Sequence, residues 1–434
     1  MGYHMSSFKL NIYNSFAECK SIILDFYHQN HTENFFFNFD WLELWWDFFG
    51  KGKKLYIIIM SDNDKVIGIA PFYCIHKFHL SVQEFGLLGD SYFSYLDMFC
   101  LKGHEELFLT AIFDHFRSIP SASIVHFKDI NDRFSRFFQQ LQNKVKQVKH
   151  TQVYKLYPCP LASIGDDWET FFKKQRNRKS RYNLQRYDKL LNKFGDLQFR
   201  EIKSAAELPK IFPQLEHIHQ ERFSDTENPL LKGTYRIFLY KILEKFIGQR
   251  LSLTVTELDG IVISFLIGFK MHDMFIDFAP AFDPAFNSLS LGNVHLMRLM
   301  EKTTKEGCRF FDFSKGDADY KRWWSNDETT NYLFRFVFNP HGVCLMYNCM
   351  LDFYQQILLK IREEGYNVKI KKIIAQLRQG NVFGKKQAKV EIEKISSLSS
   401  QIKEKMLPWS YQHIHNLPVE VRQAIIKRIV NINS

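Results

Sequence analysis

The stretch LSLTVTELDGIVISFLIGFK, residues 251–270, constrains the fold more than any other part of this chain. Two apolar runs of strand length flank Asp259-Gly260. An Asp-Gly pair favours the tight turn that joins antiparallel strands, because both turn positions need a positive φ. A third run, DMFIDFAPAF at 273–282, has the same strand character. We therefore expect an antiparallel sheet in the second half of the chain.

A break at YPCPLASIGDDW, residues 157–168, indicates a domain boundary, because prolines and glycine interrupt regular structure there. Before it, patterns of strands and helices alternate. After it come helices, the strand GDLQFREI, the hairpin and three further strands, predicted at 273–282, 309–315 and 331–342. Beyond Leu345 the sequence becomes helical, basic and poor in glycine. We expect an α/β (α+β) fold with mixed, largely antiparallel sheets. The predicted domains are 6–158 and 159–345, followed by a basic helical extension over 346–434.

Composition and cysteine usage limit where the protein works. Hydrophobic residues make up 45% of the 434, which is enough for real cores. No apolar run approaches the ~20 residues that a transmembrane helix needs, and the first residues lack a signal-peptide pattern. The seven cysteines are scattered without a C-x-x-C pair, as is typical of small buried side chains in a reducing compartment. We expect a cytoplasmic protein with no structural metal and no transmembrane segment.

The net charge of +11 is concentrated in two places. Residues 173–193 hold nine Lys or Arg against one Asp, and residues 346–434 hold fifteen against seven. Such clusters bind polyanions, although a run of charge is also typical of a solvated helix face. For the predicted helix at 169–193 both interpretations stay open, because too few acids are present to pair with its bases within the helix.

The segment NSLSLGN, residues 287–293, precedes a helical pattern and is a candidate anion site. Backbone amides at a helix N-terminus lack acceptors within the helix and carry partial positive charge. Gly292 allows close backbone approach, and Ser288, Ser290 and Asn293 add small polar groups. Residues of these types also serve as ordinary helix caps, so the motif alone does not distinguish the two roles.

Several motifs together resemble the BioF2-like/CelD-like acetyltransferase family of the Gcn5-related N-acetyltransferase (GNAT) superfamily. They are the basic helix with its Arg-x-x-Arg, HIHQERF, VTELDGIVISFLIGF, FIDFAPAFDPAFNSLSLGNVHLM and GCRFFDFSKGDADYKRWW. WLELWWDFFG and DKVIGIAPFYC in the first half are also similar to that family. The resemblance covers roughly residues 35–340. It implies two tandem GNAT-like halves, similar in layout to the Fem peptidyltransferases, with acyl-CoA (acetyl-CoA or longer) as donor.

The resemblance also suggests which residues hold the donor and an anionic group. The donor loop would comprise Ser288, Ser290, Leu291, Gly292 and Asn293, where Ser290-Leu291-Gly292 replaces the family's Ser-Pro-Gly. The missing proline leaves an extra N–H available but puts the loop's detailed shape in doubt. In the basic helix, Arg178 and Arg181 match the family's Arg-x-x-Arg and are the candidate anion contacts.

The stretch CRFFDFSKGDADYKRWW, residues 308–324, contains an apolar strand followed by a charged turn. This turn is a candidate for one wall of the active site. An acid between phenylalanines, Asp312, has to be either hydrogen-bonded in the core or facing a cleft. Lys315 and Lys321 lie in and just past the turn and are candidate catalytic residues, and Tyr320 could donate a proton to a leaving thiolate. The neighbouring Asp317 is equally well explained as a turn residue.

A second group of candidates ends the helix LEHIHQERF. Glu221 is a candidate catalytic acid or base, and His219 and Arg222 are candidates for substrate or anion binding. Asp277, in the strand FIDFAP, completes that set. A lone histidine such as His219 is more often a packed side chain than a base, and this alternative stays open.

The family resemblance, with these residues beside it, implies an acyl-CoA-dependent N- or O-acyltransferase of the acetyltransferase type. The acceptor, an amine or hydroxyl, would attack the thioester directly, since no Cys or Ser stands in a nucleophile motif. The resemblance suggests an acceptor in polysaccharide or cell-envelope biosynthesis. Two alternatives remain: a Fem-like aminoacyl-tRNA-dependent transferase, in which basic segments bind tRNA, and a non-catalytic GNAT-fold binding module.

Overall fold

The computed structural model describes residues 8–30, 38–90, 92–223, 230–363 and 411–432. The chain forms two compact units, Met1–Ala162 with Asp312–Lys360, and Ser163–Phe311 with Ile361–Ser434. In the described ranges, no helix has both the length and the apolar character needed to cross a bilayer. Residues 364–410, the middle of the predicted basic extension, lie outside the described part of the chain.

The first unit is built on a mixed sheet with strand order β1-β2-β3-β4-β6-β13-β7, and β5 pairs with β3 on the side. All of its pairings with a recorded register are antiparallel except β4 with β6, which are parallel. The strands are β1 (Phe8–Tyr13), β2 (Lys54–Asp62), β3 (Lys65–Lys77), β4 (Val82–Leu87), β5 (Phe99–Cys100), β6 (Ala122–Asn131), β7 (Thr151–Ser163) and β13 (Asp327–Phe338).

Strand β13 explains why the compact units differ from the predicted domain boundaries. Its backbone pairs antiparallel with β6 on one side and with β7 on the other, so that Phe336 lies opposite both Val125 and Thr151. The predicted second domain, 159–345, included this strand. In the structure its ladder hydrogen bonds hold residues 312–345 in the first unit, and the three-part division stays a prediction.

Aromatic rings fill the core of the first unit. Phe113 stacks on Phe127, and Phe116 meets Phe72 edge to face. These rings are fully buried, which accounts for part of the chain's unusual phenylalanine content. The helices of this unit are α1 (Phe16–Asn30), α2 (Phe39–Phe49), α3 (Glu105–Ser118), α4 (Phe138–Val145), α10 (Asp319–Trp324) and α11 (Gly342–Glu363).

The second unit contains a sheet with strand order β12-β11-β10-β9-β8. The predicted hairpin is confirmed: β9 and β10 pair antiparallel across Asp259 and Gly260, whose φ values are 52° and 78°. Both angles lie in the left-handed region, as a type I′ turn requires. The strands are β8 (Leu197–Ile202), β9 (Leu251–Leu258), β10 (Ile261–Met271), β11 (Met274–Phe282) and β12 (Phe310–Asp312).

A bulge interrupts the ladder between β10 and β11. Ile267 lies opposite Ala279 but the next residue, Gly268, lies opposite Asp277, so Phe278 has no partner in the register. Bulges of this kind bend a strand and redirect its side chains, and they are frequent beside functional sites. The bulge places Asp277 and Phe278 at an irregular point of the sheet.

Helices pack on this second sheet. Helix α7 contacts β10 and β11, and so does α9, whereas α12 contacts the short 3-10 helix Pro284–Leu289. The helices are α5 (Trp168–Gln175), α6 (Arg178–Leu191), α7 (Leu208–Arg222), α8 (Gly233–Phe246), α9 (Leu291–Lys305) and α12 (Val419–Ile432). The predicted fold class, α/β with mixed and largely antiparallel sheets, is confirmed.

Candidate functional site

The start of helix α9 is shaped by the entry loop, residues 283–290. The Asp283 carboxylate accepts a hydrogen bond from the amide of Ala285 at 2.8 Å, which begins the 3-10 helix after β11. Ser290 then takes the left-handed conformation, with φ 48° and ψ 40°, and its carbonyl accepts from the amides of Asn293 and Val294. No acidic residue lies in the first turn of α9. The first-turn amides therefore present positive potential without a nearby carboxylate on that turn.

The backbone at Gly292 packs closely against a ring. A Cβ at this position would come within 2.8 Å of the Phe282 ring. The Arg222 guanidinium lies 4.7 Å from the centre of the same ring, close enough for a cation–π contact. Gly292 thus permits the close approach of Phe282, and that ring contacts both the first turn of α9 and Arg222. Of the other predicted donor-loop residues, Ser288 is exposed, Ser290 and Asn293 are half-buried, and Leu291 is buried.

Two of the predicted substrate-binding residues are buried. His219, on α7, is only 2% exposed, and its ring nitrogens have no hydrogen-bond partner among the described residues. Burial, together with the charge of Lys232, lowers its pKa to about 4, so the imidazole is neutral at pH 7. Asp277 is also 2% exposed and lies at the β11 bulge.

Glu221 belongs to a buried ion network that the sequence analysis did not predict. Arg422, on α12, is 1% exposed, and its Nη2 donates to Glu221 at 2.6 Å and to Asp283 at 2.9 Å. The Tyr411 hydroxyl donates to the other oxygen of Asp283. Although burial opposes the charge, the two carboxylates raise the pKa of Arg422 above its ordinary value. The network fixes the C-terminal helix to the end of α7 and to the entry loop.

The guanidinium of Arg422 is further held by the backbone. Its Nη1 donates to the carbonyls of His415 and Leu417, at 3.0 Å and 2.7 Å. Beside this network lies a cavity of about 300 Å³. Its lining combines apolar side chains on α7 and β10, namely Pro213, Ile218, Ile261 and Val262, with Gly260 and the polar residues Gln214, His217, Glu221, Asp283, Tyr411 and His415.

In the basic helix α6, the two predicted arginines have different surroundings. Arg181 donates to the carbonyls of Lys173, at 3.0 Å, and of Arg176, so its guanidinium caps the end of α5. Arg178 is exposed at the first turn of α6. An ion pair of 2.6 Å between Asp188 and Arg298 joins α6 to α9. These contacts favour a structural role for Arg181 and leave Arg178 the more accessible of the two.

The predicted catalytic wall lies in the first unit, where its side chains have partners. Asp312 is fully buried and accepts hydrogen bonds from the Tyr95 hydroxyl and from the Ser314 amide, both at 2.6 Å. Burial raises its pKa to about 6, while the hydrogen bond from Tyr95 limits the rise. The carboxyl group thus satisfies the first alternative of the sequence analysis, an acid hydrogen-bonded in the core.

The lysines of the same turn bind carbonyls. Lys315 Nζ donates to the Phe93 carbonyl at 3.1 Å and lies 3.9 Å from the buried Asp129 carboxylate. Lys321 Nζ donates to the Lys315 carbonyl at 2.8 Å. Tyr320 meets the Phe313 ring edge to face. The contacts close the turn on itself, and the catalytic roles of these residues stay predictions.

The predicted site residues therefore fall into two groups. Asp312, Lys315, Tyr320 and Lys321 lie in the first unit, whereas the residues of α6, α7, β11 and the α9 start lie in the second. Arg422 and Tyr411 were missed, because nothing in the local sequence of a basic tail indicates a buried arginine. Within the described residues, no cluster of three His, Cys, Asp or Glu side chains has the geometry of a metal site.

A family comparison bears on the second group. Residues 178–322 match the family model described as an acetyltransferase (GNAT) domain. The match begins at α6 and includes the α9 start and the turn after β12. The predicted likeness to the GNAT superfamily is confirmed over this range, and the narrower BioF2-like/CelD-like assignment stays a prediction.

Solved structures show weaker likenesses. A conserved protein of unknown function from Bacteroides thetaiotaomicron is 10% identical with a TM-score of 0.48, over 76% of this chain and 100% of that one. FemX is 14% identical, with a TM-score of 0.47 over 68% and 91% of the two chains. A tandem GNAT protein from the clavulanic acid biosynthesis pathway is 6% identical, with a TM-score of 0.42 over 75% and 98%. TM-scores this low establish neither fold nor function. No curated protein matches the sequence.

Proposed function

We propose that this protein is an acyl-CoA-dependent N- or O-acyltransferase whose donor site is the start of α9. The observation that carries the proposal is the match of residues 178–322 to the acetyltransferase (GNAT) domain family, which spans the entry loop and α9. Transfer proceeds directly: the acceptor's lone pair attacks the thioester carbonyl, the new C–N or C–O bond forms, and the C–S bond breaks. The acceptor gives up one proton and the leaving thiolate takes one up, so that the products are the acylated acceptor and free CoA. No covalent acyl-enzyme is formed.

Three features of the second unit support donor binding at this place. The N-terminus of α9 carries partial positive charge without an acid in its first turn, which favours an anionic group such as a pyrophosphate. Arg222 adds positive charge beside Phe282, on the ring that also contacts Gly292. Ser288 is exposed in the entry loop and offers a hydroxyl donor. The residues thus supply backbone amides, a guanidinium and a hydroxyl, which are the groups that bind phosphate oxygens.

For the acceptor we propose an amine- or hydroxyl-bearing molecule, in polysaccharide or cell-envelope biosynthesis as the sequence resemblance suggests. His219, which the sequence resemblance assigns to substrate binding, is neutral at pH 7 because of its lowered pKa but is only 2% exposed, so it would have to act from within the core. Asp277 lies at the bulge of β11, the strand that leads into the entry loop. We propose its carboxylate as a second group that binds the acceptor.

The second candidate function is a Fem-like aminoacyl-tRNA-dependent transferase. The specific observation that favours it is the basic helix α6, where Arg178 and Lys179 are exposed and no acid lies in the first turn. A surface of this kind contacts a nucleic-acid backbone, and such binding weakens steeply as salt rises.

Thermal unfolding with added ligands separates the two functions. Acetyl-CoA and longer acyl-CoAs should raise the melting temperature in proportion to the logarithm of their concentration, because they bind the folded state. Desulfo-CoA tests whether binding needs the sulfur, and adenosine 3′,5′-bisphosphate tests whether the nucleotide part alone suffices. The absence of any shift with these compounds, together with salt-sensitive tRNA binding, would favour the transferase that uses aminoacyl-tRNA.

A further inference from the structure

Helix α11 packs one of its faces on the sheet of the first unit. Cys344 is completely buried in a cluster with Val82, Ile124 and Val337, against which Tyr347 and Leu351 also pack. The Tyr347 hydroxyl donates to Glu84 at 3.1 Å. Further along, Leu359 packs against Tyr154 and Leu333, and the Tyr154 hydroxyl donates to Asp352. These contacts fix the rotation of α11 about its axis.

The opposite face of α11 forms an apolar stripe that nothing covers within the described residues. Its seven side chains are each between 37% and 69% exposed. They recur at intervals of three, four and one, which places them on one side of a helix with 3.6 residues per turn. The stripe consists of Val343, Met346, Met350, Phe353, Tyr354, Ile357 and Leu358.

The size of the stripe is that of an interface. The stripe runs along about 24 Å of helix at 1.5 Å per residue, and a standard protein–protein interface takes about 800 Å² from each partner. Monomers rarely leave a larger contiguous apolar patch in water. The two methionines and two aromatic residues are also types that are enriched at interfaces. We therefore expect another surface to cover the stripe in solution.

The charge around the stripe distinguishes between occupants. From residue 342 to residue 359 the helix contains no Lys or Arg, and Asp352 is its one acidic residue there; Lys360, Arg362 and Glu363 follow in the last turn, beyond the stripe. A helix that lies on an anionic membrane carries Lys and Arg along its polar face. A stripe without charge is instead complementary to itself, because pairing two copies brings no like charges together.

We propose that the apolar stripe is the interface of a homodimer, in which α11 packs antiparallel on α11 of a second copy. A two-fold axis near Met350, the middle of the stripe, would place Met346 of one copy opposite Phe353 or Tyr354 of the other. Such an interface is isologous, the commonest kind in soluble homo-oligomers. The inference is independent of the proposed enzymatic function.

Molar mass in solution tests this proposal. Light scattering on the full chain should give twice 51.7 kDa over the micromolar range. The double variant Met350→Glu/Phe353→Glu should give the monomer mass, because burying two carboxylates against their copies is unfavourable. The matched control is Ile237→Glu, an exposed apolar residue of α8 outside the stripe, which should stay dimeric.

Cys349 provides a second measurement without engineering. It is the exposed cysteine next to Met350, and the other six cysteines of the chain are buried. Packed helices lie about 8–10 Å apart, so a short bis-maleimide should join two chains through Cys349, and the double variant should prevent this.

Three results would overturn the proposal. They are a monomeric wild-type chain at all concentrations, a dimer that the double variant leaves intact, and flotation of the monomer with phosphatidylglycerol vesicles that the double variant abolishes. In a monomeric chain, cross-links within one molecule between α11 and residues 364–410 would identify the chain's own segment as the occupant.

Discussion

At the scale of single residues, Asp312 shows how a buried acid is satisfied. Replacing it with alanine leaves the Tyr95 hydroxyl and the Ser314 amide without their acceptor in the core. We expect Asp312→Ala to lower the free energy of unfolding by about 1–3 kcal/mol, the usual cost of an unsatisfied buried polar group. Asp312→Asn keeps one acceptor oxygen and should cost less. Urea denaturation measures both.

The same pair of variants tests the predicted catalytic role of Asp312. If the carboxyl group only holds the turn, Asp312→Asn retains acyl-CoA turnover at a temperature where it is folded. If turnover disappears in Asp312→Asn while the unfolding curve is unchanged, the residue acts in the reaction, and the structural account of the turn is insufficient.

His219 makes stability depend on pH. Its pKa is lowered to about 4 in the folded protein, against an ordinary value of 6.5. Between these values the unfolded chain takes up a proton that the folded chain does not, so the free energy of unfolding falls as the pH falls from 6.5 toward 4. His295, held between the hydroxyls of Thr254 and Thr256, has a pKa lowered to about 3 by burial and acts in the same direction.

We expect His219→Leu to reduce this loss of stability on acidification, measured as the change in urea midpoint between pH 7 and pH 5. The control is His217→Gln on the same helix, whose side chain is 60% exposed. Because this imidazole is largely exposed, although 3.4 Å from Glu221, the control should change the pH dependence less than His219→Leu does. An unchanged slope in His219→Leu would show that the imidazole is not buried in its neutral form.

At the scale of elements, the network around Arg422 holds α12 against α7 and the entry loop. Arg422→Met removes the cation from between Glu221 and Asp283 and leaves two carboxylates near each other. Breaking a buried pair in this way typically costs about 3–5 kcal/mol. We expect early proteolytic cleavage of α12 and a lower urea midpoint in this variant.

The matched control for Arg422→Met is Lys427→Met, at an exposed position of the same helix. It should unfold and resist proteolysis as the wild type does. Adding Glu221→Gln to Arg422→Met should cost less than the sum of the single changes, because the two residues contact each other. Strict additivity would contradict the contact.

Gly292 tests the packing at the start of α9. Gly292→Ala would press a methyl group against the Phe282 ring, which can yield only by moving relative to Arg222. Gly342→Ala, at the first position of α11, meets no atom within 4 Å and has an ordinary φ. We expect the first variant to weaken acyl-CoA binding about tenfold, which corresponds to about 1.4 kcal/mol, and the second to leave binding unchanged in a titration.

Local elements could be predicted from the sequence where turn chemistry and periodicity agree. The Asp259-Gly260 hairpin needs only neighbouring residues, and its strands match the predicted ranges closely. The strand predicted at 309–315 is shorter, Phe310–Asp312, because Ser314 takes a positive φ of 60°. The partners of Arg422 could not be predicted, since Glu221 and Asp283 lie 201 and 139 residues away.

At the scale of the whole molecule, residues 312–360 belong to the first unit although residues 163–311, which precede them, belong to the second. Strand β13 pairs with β6, about two hundred residues earlier, and this pairing was not predictable from local patterns because any apolar strand offers the same backbone groups. The result is that the family match at 178–322 spans residues of both compact units. Excising those residues alone would remove the turn at 312–322 from its partners in the first unit.

The central claim is that the full chain binds an acyl-CoA at the start of α9. Isothermal titration of acetyl-CoA into the full chain, with Gly292→Ala and Gly342→Ala in parallel, tests it most directly. We expect one site per chain, with a dissociation constant in the range of about 1 μM to 1 mM that is usual for KM values. We also expect weaker binding in Gly292→Ala alone. No binding heat with acetyl-CoA or longer acyl-CoAs, or equal binding in all three proteins, would contradict the claim.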